Sequence, residues 1–248
     1  MWWSLGLFLL LLGWQLLAMR LGPLLVATPE QTWQGLGRLL ASPEFVHHAG
    51  ISLLRVGVGV SLGIGLGLVL ALLAARYPSL RHLLEPARWL LMSVPPVIVV
   101  VLAMLWLGMG TAMVVVIAIA LLSPTVYVNT LRGLHLLDPE LSGMARVFRF
   151  GRWRQLRHVV LPALAIPLCS VLHVAYCSGV RLVVMAEVIG AIDGAGFALA
   201  NARGSLDSAT VYAWVVLVLL LVAILEGVLL RPLQRRLTRW QCQPTRQD

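Results

Sequence analysis

The sequence predicts an all-α membrane protein with six transmembrane helices, and three observations support that fold class. Of the 248 residues, 60% are apolar and only 12% are charged, whereas a soluble domain averages roughly 45–50% apolar and about 25% charged residues. The mean hydropathy is +0.91. The apolar residues gather into six runs, each long enough to provide the roughly 20 residues that a helix needs to cross a bilayer. This composition excludes an ordinary cytosolic enzyme and a disordered protein.

The first apolar run covers residues 2–19 and predicts an uncleaved transmembrane helix within residues 1–27. It lacks the basic start and the small-residue cleavage site of a signal peptide. Residues 28–47 then begin with Thr28, Pro29 and Glu30, which predict an N-cap, a proline in the first helical position and an acidic first turn. The apolar residues that follow recur at helical spacing, so we expect an amphipathic helix lying at the membrane interface.

The second and third runs carry glycine and proline signals. The second run, from about 48 to 75, has Gly59, Gly63 and Gly67 four residues apart, which strips one helix face of side chains and predicts a close helix contact. Residues 76–88 are expected to form a basic loop. The third run is broken at Pro95-Pro96; the break is either a plain kink or a bend that lines a pathway.

The remaining runs complete the core domain, which we assign to residues 48–240. They cover residues 112–131, 162–190 and 211–230. A polar segment at 132–158 and a loop at 191–210, with room for a short helix, separate them. Residues 241–248 form a tail.

The arginines set the predicted orientation. The chain has no lysine, so arginine carries all of its positive charge apart from histidine. Fourteen arginines fall on one predicted side of the membrane, in the segments 76–88 and 132–158 and after the sixth run. Only three arginines fall on the opposite side. Because basic loops stay in the cytoplasm, both termini are expected there, in a multi-pass protein of the bacterial plasma (inner) membrane. The net charge of +9 is then a matter of topology and does not require nucleic acid.

No sequence motif predicts catalysis. The chain has no phosphate-loop lysine motif, no zinc-protease motif and no nucleophile elbow. The three cysteines and six histidines show no metal-ligand spacing. We therefore expect no catalytic residue, no metal and no enzyme activity.

The polar segment 138–158 predicts a cytoplasmic helix with an apolar face. Asp138 can cap it, and Pro139 and Glu140 suit its first turn. Apolar residues follow at helical spacing, and Gly151 can end the helix. The apolar face either lies against the membrane or docks into another protein.

This segment resembles the cytoplasmic loop of binding-protein-dependent ABC importer permeases. Leu161-Pro162, Val159 and Ala145 match the motif of that loop. The chain departs from the motif at three positions: Gly143 stands at the glutamate position, Met144 at the first alanine and Arg149 at the glycine. If the alignment is shifted by two residues, Gly151 can serve as the turn glycine.

Further stretches, spread over residues 28–240, are similar to the nitrate/sulfonate/taurine branch of these permeases. In order, they are residues 51–56 (Ile-Ser-Leu-Leu-Arg-Val), 93–96 (Ser-Val-Pro-Pro), 105–110 (Leu-Trp-Leu-Gly-Met-Gly), 129–133 (Asn-Thr-Leu-Arg-Gly), 186–190 (Ala-Glu-Val-Ile-Gly), 194–197 (Gly-Ala-Gly-Phe) and 233–237 (Leu-Gln-Arg-Arg-Leu). Several short matches in the same order are more specific than any one of them.

The resemblance implies the permease subunit of a type I ABC importer, with the MetI-like fold. Two copies would form one pathway for a small anion such as sulfonate, taurine or nitrate, delivered by a periplasmic or lipid-anchored binding protein. Two cytoplasmic ATPase subunits would dock on residues 138–158 and use the ATP, and this chain would bind no cofactor directly. The candidate coupling residues are Leu141, Met144, Ala145, Phe148, Arg149, Phe150 and Gly151. The aromatic pair are candidate anchors, although one of them could instead pack back on the membrane domain.

Four charged residues fall in or near the apolar helices, namely Arg55, Arg181, Glu187 and Glu226. Each should face protein or water, since a charge at the bilayer centre costs at least about 2.5–3.5 kcal/mol. Arg181 precedes Glu187 by six residues and so lies roughly 9 Å deeper. It is either a structural partner of a carbonyl or acid, or an anion-attracting group on the pathway. Glu187 is either half of a structural ion pair or a gate contact.

Pro95, Pro96, Arg181 and Glu187 are therefore the candidate pathway residues. The competing interpretation is an ATP-independent secondary transporter or channel, which would need ion-coupling acids near mid-membrane and an internal repeat. An intramembrane enzyme is a third interpretation, but it lacks a catalytic pair.

Overall fold

The computed structural model describes residues 2–22, 25–135 and 161–224, together with residue 227. Those parts of the chain contain helices and no strands. The helices are α1 (Trp2–Leu21), α2 (Pro29–Ala41), α3 (Pro43–Arg76), α4 (Pro78–Ser93), α5 (Pro96–Leu107), α6 (Thr111–His135), α7 (Leu161–Gly190), α8 (Ala195–Gly204) and α9 (Ser208–Ile224).

Within the described residues, each predicted membrane-spanning run overlaps at least one helix. Four segments are long and apolar enough to cross a bilayer, namely Ser4–Leu21, Pro43–Arg76, Thr111–Leu134 and Val171–Gly190. Helices α4 and α5 meet the same test as a pair that is bent by 104°. Helix α9 is apolar but shorter, with 17 residues. The prediction of an all-α membrane protein is confirmed.

The amphipathic helix begins where the sequence predicts. Thr28 Oγ1 accepts a hydrogen bond from the amide of Gln31 at 3.2 Å, and Gln31 Oε1 accepts one from the amide of Thr28 at 3.0 Å, which forms a capping box. Ser42 ends this helix and caps the next one, which begins at Pro43. Helix α3 therefore starts five residues before the predicted position of about His48, because a second capping serine and proline precede it.

The glycine stripe of α3 forms a close helix contact, as predicted. A Cβ at Gly59 would lie 2.9 Å from the Cβ of Ala118, and a Cβ at Gly67 would lie 2.7 Å from the carbonyl oxygen of Ser123. Both partners belong to α6. Gly65, on another face of α3, has nothing within 4 Å of its Cβ position. The stripe thus lets the backbones of α3 and α6 approach each other where larger residues would hold them apart.

The prediction of a basic loop at residues 76–88 is wrong, because Arg76 ends α3 and residues 78–88 belong to helix α4. Pro78 occupies the first helical turn, where its missing amide costs nothing. Leu84 packs against α3 and α6 around Ala71 and Tyr127. Arg81 and Arg88 lie three residues before and four residues after Leu84, so they border this contact, and both line a cavity between α4 and α6. The residues from 89 to 93 complete α4 rather than begin the next span.

The core lies where α3, α6 and α7 meet. Its fully buried members include Val60, Ile117, Val126 and Val183, and α5 covers it through Val100. Helix α1 is peripheral: Trp14 donates a hydrogen bond from Nε1 to the carbonyl of Ala27 at 3.0 Å and stacks on Tyr212 with ring centroids 5.6 Å apart.

Candidate functional site

A buried polar cluster lies where the first halves of α3 and α6 meet the end of α7 and the start of α8. Its centre is Arg55, whose side chain is 0% exposed. Nη1 donates to Glu187 Oε1 at 2.9 Å and to the carbonyl oxygen of Asp193 at 2.8 Å. Nη2 donates to the Asp193 carboxylate and to Thr111 Oγ1, which also accepts from Nε at 3.2 Å. All three guanidinium nitrogens are thus bound, which satisfies a charge that burial would otherwise penalise.

Glu187 is equally well bound. Its two carboxylate oxygens accept from Ser52 Oγ at 2.9 and 2.7 Å, and Oε2 also accepts from the amide of Gly196 at 3.0 Å. The Glu187 side chain is 0% exposed. Glu187 therefore forms an ion pair with Arg55 of the same chain, 132 residues away, and its carboxylate lies at the N-terminus of α8, where an anion is stabilised by the helix dipole.

Side chains of α3 and α7 cap α8 from outside. The amide of Gly194 donates to His48 Nδ1 at 3.1 Å, and the amide of Ala195 donates to Ser52 Oγ at 2.7 Å. With the amide of Gly196 bound by Glu187, three successive amides at the start of α8 find partners outside that helix. The short connection from α7 to α8 is thereby fastened to α3.

Glycine is required at two positions in this connection. Gly194 has a φ of +101°, and a Cβ there would lie 2.4 Å from Glu187 Oε1. A Cβ at Gly196 would lie 2.5 Å from the carbonyl oxygen of Val184. Any side chain at these positions would displace the carboxylate or the backbone of α7.

The cluster unites stretches on which the family resemblance depends. Ser52 and Arg55 lie in residues 51–56, Glu187 lies in 186–190, and Gly194 and Gly196 lie in 194–197. Thr111 directly follows the stretch 105–110. These separate stretches of sequence are therefore parts of one three-dimensional feature.

Sequence analysis missed three members of the cluster. Ser52, Thr111 and Asp193 have no individual signal in the sequence, although Ser52 precedes Arg55 by three residues and so shares its helix face. His48 also has no signal in the sequence; it is half-buried and accepts a backbone hydrogen bond. The tight connection formed by the two glycines carries Asp193 to Arg55, and it brings the amides of Gly194 and Ala195 to His48 and Ser52 of α3.

Arg181 lies in the middle of the apolar segment Val171–Gly190 and is exposed on the surface of the protomer. The opposite face of α7, with Gly179, Val183 and Glu187, is buried against α3 and α6. Within residues 2–22, 25–135 and 161–224, Arg181 has no ion pair or side-chain hydrogen bond. Because Glu187 is buried and bound to Arg55, the structure does not bring these two candidate residues together.

Pro95 and Pro96 form the break between α4 and α5. Pro95 has an extended backbone, with φ −56° and ψ 133°, and Pro96 begins α5. Both prolines are exposed in the protomer. Met104, near the far end of α5, lies beside Gly190 at the end of α7.

The candidate coupling residues lie outside the described residues. They are Leu141, Met144, Ala145, Phe148, Arg149, Phe150 and Gly151. Glu226 also lies outside them. Among the residues that are described, no group of three or more histidine, cysteine, aspartate or glutamate side chains could hold a metal ion.

Comparisons with known proteins agree with this architecture. Residues 63–240 match the family described as "Binding-protein-dependent transport system inner membrane component". The chain is 31% identical over 205 residues to the putative aliphatic sulfonates transport permease protein SsuC of Bacillus subtilis, covering 82% of this chain and 73% of that protein. It is 27% identical over 238 residues to the taurine transport system permease protein TauC of Escherichia coli, covering 94% and 86% respectively.

Solved structures show the same fold. An inward-facing structure of the MetNI methionine ABC transporter superposes with a TM-score of 0.62 at 17% identity, covering 76% of this chain and 92% of that one. An amino acid ABC transporter crystallised with histidines gives a TM-score of 0.61 at 16% identity, covering 83% and 96%. The expected MetI-like permease fold is confirmed. This chain belongs to the family of inner-membrane permease components of binding-protein-dependent ABC importers.

Proposed function

We propose that this chain is the pathway-forming subunit of an ATP-driven importer for a small organic or inorganic oxyanion, such as a sulfonate, taurine or nitrate. The names of its relatives, an aliphatic sulfonates permease and a taurine permease, support this substrate class. Two copies of the chain would form the pathway. A separate binding protein would deliver the substrate, and two cytoplasmic ATPase subunits would supply the energy.

The exposed Arg181 is the observation on which the substrate proposal depends. An arginine halfway along an apolar span is unstable against lipid, and this one has no partner within the protomer as described. Its face of α7 also carries Ser178, which is half-buried, and Val174, which is exposed. In the assembled transporter, this face would line water between two copies, and Arg181 would attract an anion through a low-dielectric passage.

The break at Pro95 and Pro96 supports a pathway near the same depth. Met104 of α5 and Gly190 of α7 lie side by side, so they define a common level. Pro96 precedes Met104 by eight residues and therefore lies roughly 12 Å from that level along α5. Leu182, next to Arg181, precedes Gly190 by eight residues and lies the same distance from it along α7. The interrupted backbone and Arg181 would therefore lie at similar depths, and irregular backbone at membrane depth is tolerated where it lines a cavity.

The energy coupling would run through the segment 138–158. A helix seated in a groove of each ATPase subunit would move with that subunit as ATP closes the ATPase dimer. ATP would bind the closed ATPase dimer more tightly than the open one, and the closed dimer would hold the permease in its outward-facing state. This difference in ATP affinity is the only means by which ATP could shift the permease. This arrangement requires both termini and residues 138–158 to be cytoplasmic, which labelling of a cysteine at position 150 in intact cells can test. Labelling from the outside would contradict the orientation.

Uptake by the reconstituted complex tests the proposal. Proteoliposomes containing this chain, its ATPase subunit and its binding protein should take up radiolabelled taurine or an alkanesulfonate only when ATP is supplied to the ATPase side. The Arg181→Gln variant should assemble normally and keep basal ATP hydrolysis but lose most uptake. The control Arg38→Gln, which removes an exposed arginine outside the long spans, should transport like the wild type.

Three results would contradict the proposal. Uptake without ATP would favour a secondary transporter or channel. Loss of assembly in Arg181→Gln would assign the arginine to structure, and full uptake with intact assembly would remove it from the pathway. The secondary-transporter interpretation gains no support from Glu187, because that acid is bound to Arg55 and Ser52 and is not free to couple an ion.

A further inference from the structure

A second basic site lies at the other end of the bundle, between α4 and α6. A cavity of about 200 Å³ is lined there by Arg81, Arg88 and Arg132, together with Glu85 and Tyr127. Since roughly 10–15 Å³ suffices to admit a water molecule, the cavity has room for a phosphoryl group and its hydration. Three arginines against one glutamate leave a net positive lining.

The cavity contains a buried hydroxyl group that lacks a partner. Tyr127 is only 3% exposed, and its Oη has no hydrogen-bond partner among the residues described. Buried polar atoms in native proteins are nearly always satisfied, and an unsatisfied one points to an unseen water, ion or ligand. A phenol hydroxyl on a residue that lines a cavity together with three arginines is suited to donate to an oxyanion.

Two of the three arginines are available to a ligand. Arg88 forms an ion pair with Glu85 on the exposed surface of α4. Within the described ranges, Arg81 and Arg132 have no carboxylate within ion-pair distance. The site therefore retains two guanidinium groups, one on α4 and one on α6, that a bound anion could bridge.

An apolar cavity adjoins the basic one and identifies the kind of anion. It measures about 80 Å³, shares Arg88 and Tyr127 with the basic cavity and is otherwise lined mainly by apolar residues of α3, α4 and α6, among them Leu70, Leu84 and Leu91. A charged compartment that continues into an apolar one matches a molecule with an anionic head and a hydrocarbon tail. Basic pockets between transmembrane helices on the cytoplasmic side bind phospholipid headgroups in this way.

We propose that the groove between α4 and α6 is a binding site for an anionic phospholipid of the inner leaflet. The phosphodiester group would bridge Arg81 and Arg132 and accept a hydrogen bond from Tyr127 Oη, and the start of an acyl chain would enter the apolar cavity. The lipid would then link α4, whose apolar face packs on the core through Leu84, to the end of α6. This site is separate from the transport pathway and its test needs no transport.

Lipid binding to the full chain can be measured in detergent by native mass spectrometry. We expect phosphatidylglycerol to bind at least about tenfold more tightly than phosphatidylcholine. Each arginine near an anionic headgroup contributes about fivefold in affinity. The double variant Arg81→Gln/Arg132→Gln should therefore reduce that preference by roughly tenfold or more. The Tyr127→Phe variant, which removes one oxygen atom, should reduce it by about two- to tenfold.

Arg76→Gln is the matched control, because it removes the same charge at the same end of the bundle from a residue outside both cavities. An unchanged preference in the double variant, or an equal loss in Arg76→Gln, would overturn the proposal. Displacement of phosphatidylglycerol by millimolar inorganic phosphate or methanesulfonate would overturn it as well, by assigning the cavity to a soluble oxyanion. If the double variant fails to fold in detergent, Tyr127→Phe decides the outcome, and its full retention of the preference would refute the site.

Discussion

Removal of one partner of the buried ion pair between Arg55 and Glu187 should strongly destabilise the protomer. At the observed separation of 2.9 Å, the attraction between two unit charges is about 6 kcal/mol for an effective dielectric constant of 20. The Arg55→Met variant removes that attraction and leaves Glu187 buried without its cation. Hydrogen bonds from Ser52 and Gly196 still hold the carboxylate, so we expect a loss of about 3–5 kcal/mol, the range found when one partner of a buried pair is removed.

Thermal unfolding of the purified chain in a neutral detergent measures this loss. For a chain of this size, each kcal/mol lowers the melting temperature by about 2–4 °C, so Arg55→Met should melt roughly 6–20 °C below the wild type. Removing both charges, with Arg55→Met and Glu187→Met together, should recover part of the loss because no unpaired charge stays buried. The control Glu85→Gln breaks an exposed ion pair and should cost no more than about 1 kcal/mol. A shift for Arg55→Met no larger than that of the control would refute the reasoning.

Three further predictions concern other parts of the chain. Gly194→Ala should reduce folded yield in fluorescence-detected gel filtration, because its Cβ would lie 2.4 Å from Glu187 Oε1 at a φ of +101°; a wild-type profile would contradict this. Gly67→Ala should lower the melting temperature through a loss of about 1–3 kcal/mol from overpacking against α6, while Gly65→Ala, with open space at its Cβ, should not; equal shifts would refute the packing assignment. Met144→Ala with Phe148→Ala should weaken co-purification of the ATPase subunit by about 2 kcal/mol or more, or roughly 30-fold in affinity, and wild-type recovery would count against docking at 138–158.

The sequence was sufficient to predict the features that depend on local patterns. The Thr28 N-cap, the α3 glycine stripe and the break at Pro95 and Pro96 each follow from residues close together in the chain. Helix α4 was missed because its arginines were interpreted through topology alone, whereas Pro78 and the apolar Leu84 face carry a helical signal. A charged residue is a poor indicator of a loop where an amphipathic helix can carry it at a membrane surface.

The candidate site was only partly predictable. Both Arg55 and Glu187 were identified as charges that must face protein or water, but their pairing joins residues 132 positions apart, and no local pattern specifies such a contact. Asp193 lies in the connection between α7 and α8, and Thr111 begins α6; the positions of both depend on how the helices around them pack. Sequence reasoning therefore identified which charges needed partners, while the packing of α3, α6 and α7 determined which partners they have.

The length of α3 fixes the depth of these features relative to a bilayer. The helix has 34 residues and is therefore about 51 Å long, well beyond the roughly 30 Å of a hydrocarbon core. Arg55 and Arg76 are 21 positions apart on it, or about 32 Å, so the two charges mark the opposite boundaries of the apolar layer. The Arg55 cluster then lies at the water-facing edge, where immersing its charges is least costly, and Arg181 lies inside the layer. A bilayer much thicker than this spacing would draw one of the two arginines into hydrocarbon, so α3 would have to reduce its tilt or the lipid would have to thin around it.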